Sequence, residues 1–210
     1  MFENLQKRFS EYNWHLINDN TKLNLEVLDQ IQPDKIFFPH WSFIVPSTIY
    51  DNYECIVFHM TDLPFGRGGS PLQNLIVRGY KKTKISAIRM QKGVDTGAIY
   101  LKKDLSLDGN AHEIFQRSST VIEEMVAEII EKAPVPVPQQ GEVTLFKRRS
   151  PDQSNVIDLS EIDKLYDHIR MLDAEGYPNA FIETAQFRLE FYNASLNDKT
   201  ITANVRIIKK

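Results

Sequence analysis

Apolar residues fall along this chain in two rhythms. Short continuous runs occur at Trp14-His15-Leu16-Ile17, Ile36-Phe37-Phe38, residues 53–59 and residues 85–90. Runs this short, bounded by Asn, Asp, Gly or Pro, read as strands. Between them apolar residues recur at helical steps. Residues 2–11 suit a short helix, and Leu25, Leu28 and Ile31 predict one over 24–32 that Pro33 stops. Ser70-Pro71 opens another, with serine as cap and proline in the first turn, where its missing N–H costs nothing. Asn110 with Glu113 forms a capping box for a helix to about Lys132, whose inward positions are Ile114, Val121, Met125 and Ile129.

Strand–helix alternation before residue 133 predicts an α/β domain with a mainly parallel sheet and crossover helices. Residues 133–141, with proline at 134, 136 and 138, form an extended, moderately stiff linker. Beyond it Ser160 is expected to cap a helix with Ile162, Leu165, Ile169 and Leu172 on one face. Strands at Phe187–Tyr192 and Ile201–Ile208 flank a turn at Asn197-Asp198-Lys199. The division is then 1–132 as a catalytic domain and 142–210 as a small α+β appendage.

Composition narrows the classes. With 210 residues, 42% hydrophobic and 25% charged, the chain buries a core without disulfides. Its single cysteine, Cys55, lies in an apolar run and reads as a core residue of a cytoplasmic protein. A formal net charge of −3 lacks the basic excess of a nucleic-acid binder. Lys147-Arg148-Arg149, the one basic cluster, is ordinarily a solvated face. No apolar stretch approaches the ~20 residues of a membrane helix, and Met1-Phe2-Glu3-Asn4 is not the start of a signal peptide. His15, His40, His112 and His168 show no ligand spacing, so no metal site is expected.

The chemistry concentrates at two loops. His59 ends the run Cys55-Ile56-Val57-Phe58-His59 and enters a Gly/Pro-rich loop; Asp95 sits in Gly93-Val94-Asp95-Thr96-Gly97. Open α/β sheets present catalytic groups at the carboxyl ends of strands. A carboxylate beside such an imidazole orients it and raises its pKa. Taken alone, a histidine after a strand more often bonds a backbone carbonyl, and Asp-Thr-Gly is an ordinary turn; their pairing carries the reading. Gly66-Arg67-Gly68-Gly69 lacks the Lys-Ser/Thr of a phosphate loop.

His59, Leu63-Pro64, Arg67-Gly68 and Asp95-Thr96-Gly97 match a signature of Asn-x-His-x-Ser-Leu-Leu-Pro-x-x-Arg-Gly followed by Leu-Asp-x-Gly. The chain thus resembles the 10-formyltetrahydrofolate-dependent formyltransferases. The resemblance implies a Rossmann-like fold, N-terminally truncated here because only about twenty residues precede the helix at 24–32. It implies 10-formyltetrahydrofolate as formyl donor, His59 as general acid/base, and Asp95 raising its pKa. The donor would lie between Ser42-Phe43-Ile44 and Gln91-Lys92-Gly93-Val94-Asp95 and meet Arg67. Val57 stands where the family has an asparagine for the formyl oxygen, leaving a backbone N–H, Thr61 or Asn74 to replace it.

Residues 146–152 and 169–181, with Gly68-Gly69-Ser70-Pro71-Leu72-Gln73-Asn74, look like the short sugar N-formyltransferases of nonulosonic (pseudaminic-type) pathways. The acceptor implied is the amine of a UDP-linked 4-amino-4,6-dideoxy sugar, with Thr61, Arg148 and Arg149 as its contacts. By the same resemblance a homodimer is possible, with no nucleic acid and no membrane as partner. The alternatives are methionyl-tRNA as acceptor, or a catalytically silent module that binds folate or a sugar nucleotide.

Overall fold

The structure, a computed structural model, describes residues 1–210. In chain order the elements are α1 (Phe2–Arg8), α2 (Leu25–Ile31), β1 (Ile36–Phe38), α3 (Ser47–Tyr50), β2 (Cys55–His59), β3 (Arg67–Gly68), α4 (Pro71–Ile76), β4 (Lys82–Arg89) and β5 (Ile99–Ser106). They continue with α5 (Ala111–Lys132), β6 (Leu145–Phe146), α6 (Ile162–Arg170), β7 (Ala180–Glu183), β8 (Phe187–Asn197) and β9 (Thr200–Lys209). This is a Rossmann-like α/β arrangement followed by a small α+β part. The α5 capping box forms in full: Asn110 N–H donates to Glu113 Oε2 at 2.9 Å, and Glu113 N–H to Asn110 Oδ1 at 3.0 Å.

The first sheet runs in the order β1-β2-β4-β5. The parallel pairing expected is present between β1 and β2, where Phe38 lies opposite Val57. The sheet is nonetheless mixed, because β4 pairs antiparallel to β2, with Ser86 opposite His59. Neither β5 nor β7 was expected. Lys102-Lys103-Asp104 interrupts the apolar run of β5, and β7 has only four residues.

Three further expectations need correction. Trp14–Ile17 is not a strand: it has no ladder partner, the Trp14 indole N–H donates to the Phe9 carbonyl at 3.0 Å, and Leu16 is exposed. Ser70 holds the N-cap position of α4 without a side-chain cap bond; it takes φ +51°, and its hydroxyl accepts from the Arg149 N–H at 3.0 Å. Glu161, not Ser160, precedes α6, with no side-chain cap.

By compactness the chain forms two units, and the division differs from the boundary expected at residues 133–141. The first comprises Met1–Arg67, Lys84–Asp104 and Ser118–Thr144; the second Gly68–Thr83, Leu105–Arg117 and Leu145–Lys210. The long elements β4, β5 and α5 each contribute residues to both. In the first unit Leu28, Phe38, Val45, Ile49 and Cys55 form a buried cluster, and α1 is tied to α5 by Asn4–Glu123 and Arg8–Glu131. In the second, β7-β8-β9 form an antiparallel sheet. There buried Arg170 donates to the carbonyls of Leu107 and Gly109 at 2.7 and 2.8 Å.

The Pro-rich segment does not hang free. Val137 exchanges both backbone hydrogen bonds with Ile99, at 2.8 and 2.9 Å. Successive strand residues point their N–H groups to opposite sides. Proline at every second position therefore puts every missing donor on the side away from β5. No helix is long and apolar enough to cross a membrane.

Candidate active site

Strand β2 is built from buried apolar residues and ends with His59, only 8% exposed. Its imidazole faces two acceptors. A carbonyl can only accept, so Nε2 donates to Gly66 O at 2.8 Å. Nδ1 lies 3.4 Å from Asp95 Oδ2. A ring carrying both protons serves both contacts; a neutral ring with its proton on Nε2 turns a lone pair toward the carboxylate. Both readings of His59 therefore hold at once: it bonds a backbone carbonyl, and it pairs with the aspartate 36 positions on. Asp95 is held at φ +51°, a left-handed conformation that aspartate tolerates better than most residues.

The loop after His59 is fastened on several sides. Ser86, fully buried opposite His59, donates to the Thr61 carbonyl at 2.7 Å and accepts from the Leu63 N–H at 3.3 Å. Gly66 and Arg67 both donate backbone N–H groups to the Thr144 carbonyl at 3.0 Å. Asp62 is paired with Lys102 and, at 3.5 Å, with Lys84. Burial alone would raise the Asp62 pKa, but these two ammonium groups outweigh it and hold the carboxyl below its ordinary range. The Leu63–Pro64 peptide is cis.

The expected donor-binding residues lie on two loops of contrasting finish. Ser42, Phe43 and Ile44 are exposed, and Ile44 is 96% so. Gln91, Lys92, Gly93 and Val94 form an exposed turn in which the Gln91 amide donates to the Thr96 carbonyl at 3.2 Å. The bases of both loops rest on one apolar cluster, which Trp41, Met90 and Val57 all pack against. Val57 and His59, two apart on β2, project from the same face. The position of the family asparagine is thus part of an apolar rim. Arg67, half-buried, directs Nε and Nη2 to Gln139 Oε1 at 3.1 and 2.8 Å.

Two of the candidates to replace that asparagine are already engaged. Thr61 is fully buried and its hydroxyl donates to Gly66 O at 3.4 Å. This also corrects its expected role as a substrate contact, since no surface of it is left to meet one. The Asn74 amide shares its two N–H groups among the Gly69, Ser70 and Lys147 carbonyls and accepts from Arg78. Of the two arginines, Arg148 is exposed, while Arg149 is half-buried and donates to the Gln153 carbonyl.

Cys55 is inert: burial pushes its thiol up to about 12. No group of histidine, cysteine and acidic side chains could hold a metal ion. A depression of about 520 Å³ lined by Lys84, Lys102, Lys103, Asp104, Val121 and Glu124 contains neither His59 nor Asp95. Sequence reasoning missed Ser86, Thr144 and Gln139, none of which belongs to a periodic pattern or motif.

Comparison with known proteins shows the family and revises the expected acceptor. Residues 2–128 match the formyl transferase family, and residues 151–208 match the methionyl-tRNA formyltransferase C-terminal domain. The solved structure of a methionyl-tRNA formyltransferase from Clostridium thermocellum is 52% identical, with a TM-score of 0.96 over 99% of this chain and 92% of that one. The methionyl-tRNA formyltransferase of Rickettsia prowazekii is 40% identical over 95 residues; this match spans 44% of the present chain and only 30% of that relative. A likely sugar N-formyltransferase from Mycobacterium tuberculosis is 17% identical with a TM-score of 0.67, covering 87% of this chain and 86% of that one. It shares the fold alone.

These findings overturn the expected acceptor. The likeness to pseudaminic-type sugar enzymes rested on short motifs, whereas the whole chain and its C-terminal part align with methionyl-tRNA formyltransferases. The expectation of a sugar-nucleotide partner and no nucleic acid fails on the same findings. A sum of 25 basic against 28 acidic residues does not describe any one face of the chain.

Proposed function

Because this chain belongs to the formyl transferase family, we propose that it moves a formyl group from 10-formyltetrahydrofolate to the amino group of methionyl-tRNA. The His59–Asp95 contact at 3.4 Å, set beside an apolar rim, carries the reading. The residues present suit the donor: Phe43, Ile44 and Val94 offer apolar surface to a flat ring, and half-buried Arg67 lies in the same compact unit. Bound there, the donor supplies the formyl carbon that the amine attacks.

His59 manages the protons. With Nδ1 kept against Asp95, Nε2 exchanges the Gly66 carbonyl for the substrate, takes a proton from the attacking amine and returns one to the departing nitrogen, a two-way task suited to imidazole. Asp95 keeps the ring oriented and balances its positive charge. The oxygen gathers negative charge during the attack and needs a donor. Valine at position 57 supplies none, and the Thr61 and Asn74 side chains are spent. Backbone N–H groups are left to meet it. Exposed Arg148 is the cation we assign to the phosphates of the acceptor.

The test offers charged methionyl-tRNA and a UDP-linked amino sugar side by side, following tetrahydrofolate release and formyl-methionine by mass spectrometry. Formyl-methionine is expected with the tRNA, reduced about 10²–10⁴-fold in His59→Ala. Release driven only by the sugar nucleotide, or equal traces for wild type and variant, would sink the proposal.

A further inference from the structure

We propose that Gln139 is a positioning residue that couples the donor-binding arginine to the aspartate behind His59. The inference rests on the formyl-transfer reading of this site. Gln139 lies in the Pro-rich segment, and its side-chain amide uses its full bonding capacity. Oε1 accepts twice from Arg67, from Nε at 3.1 Å and Nη2 at 2.8 Å. Nε2 donates both protons, to the carbonyls of Asp95 and Gly97, each at 2.8 Å. A primary amide has two donors and two lone pairs, so nothing is left over. The partners are also matched in kind: a guanidinium fork needs an acceptor, and two carbonyls need donors.

Its place on the backbone explains why Gln139 can do this. Val137 is locked to Ile99 through both backbone hydrogen bonds. Gln139, two residues further on, has the same strand parity. Asp95 meanwhile sits in a left-handed conformation, between an exposed turn at 91–94 and Gly97, where added side-chain volume has no room. The donation to the Asp95 carbonyl holds that strained residue where its carboxylate meets His59. The other half of the amide fixes Arg67, so one side chain sets two functions at once. Displacing a catalytic group by about 1 Å costs on the order of 10²-fold in rate.

Glutamate separates the two halves. Gln139→Glu keeps an acceptor for Arg67, removes both donors and sets a carboxylate against two carbonyls. Gln139→Met removes both halves. With folding checked by circular dichroism, Gln139→Glu is expected to lower kcat about 10- to 100-fold while the KM for 10-formyltetrahydrofolate stays near wild type. Gln139→Met is expected to lower kcat equally and also to raise that KM. A second readout needs no turnover: the imidazole ¹⁵N signals of His59 should move in both variants toward their positions in Asp95→Asn. If wild type releases no tetrahydrofolate, the formyl-transfer reading falls, and the His59 signals still decide the coupling. His59 signals and kcat unmoved in Gln139→Glu would overturn the proposal, as would identical losses of kcat and KM in both variants.

Discussion

The loop after His59 and the loop at 39–46 follow two strands paired in parallel, β2 and β1, and they are finished in opposite ways. Residues 60–67 are largely buried and bonded to Ser86, Thr144 and Lys102. Residues 42–44 are exposed and carry apolar side chains to the surface, where a loop is usually polar. The segment 91–97 contains both styles: an exposed tip at 91–94 and a fastened base at Asp95–Gly97. The groups proposed to move protons are thus held by the fold before any ligand arrives, while the surface proposed to meet a ring is left to be covered by it. Preorganisation serves the first task, and burial on binding drives the second.

Breaking the fastened side should affect stability most. A Cβ at Gly97 would sit 1.7 Å from the Arg89 carbonyl oxygen. Gly97→Ala is therefore expected to cost about 3 kcal/mol in a urea melt and to displace Asp95. Ser86→Ala removes one donor and one acceptor from buried backbone partners of the loop. It should cost about 1–3 kcal/mol and lower kcat in parallel, because the lost contacts hold the residues following His59.

Asp62 gives a smaller effect with a definite sign. Its carboxyl is held below the ordinary value by Lys102 and Lys84 against the pull of burial. A carboxylate with a lowered folded pKa stabilises the fold above its unfolded value of about 3.9. That contribution disappears as pH falls through the folded value. Asp62→Asn should flatten the pH dependence between about pH 5 and pH 2, read from urea midpoints, and salt should weaken the difference because the carboxylate is partly exposed. The open side should leave stability nearly untouched. Ile44→Ser and Val94→Ser are expected to shift it by less than about 0.5 kcal/mol. Each should raise the donor KM roughly fivefold, the equivalent of about 1 kcal/mol of apolar burial. A loss of folding in these two variants would contradict the contrast.

Much of this was legible along the chain. The capping box at Asn110 and Glu113, the stop at Pro33, the β8–β9 hairpin and the pair His59 and Asp95 are all local patterns or motif residues. Strand β5 was hidden because Lys102, which reaches Asp62, and Lys103, which pairs with Glu124 and Glu128, break its apolar run. Ser70 looked like a cap and became an acceptor for Arg149, since a hydroxyl takes whichever N–H the fold presents. The sugar acceptor was expected from short motifs and a summed charge, neither of which weighs a likeness that runs along the whole chain.

By itself, the sequence determined helices α2 and α5, strands β1, β2, β8 and β9, which histidine stands at a strand end, and which aspartate a turn could bring to it. Those properties depend on the spacing and chemistry of near neighbours. Only the tertiary structure decided that β4 runs antiparallel to β2, that the Pro-rich segment docks on β5 through Val137, and that Thr61 and Asn74 are already bonded. It alone brought Gln139 to Arg67 and Asp95, 72 and 44 positions away. Such contacts are chosen by competition among distant donors and acceptors for the few partners that burial leaves them, and no local pattern records that outcome.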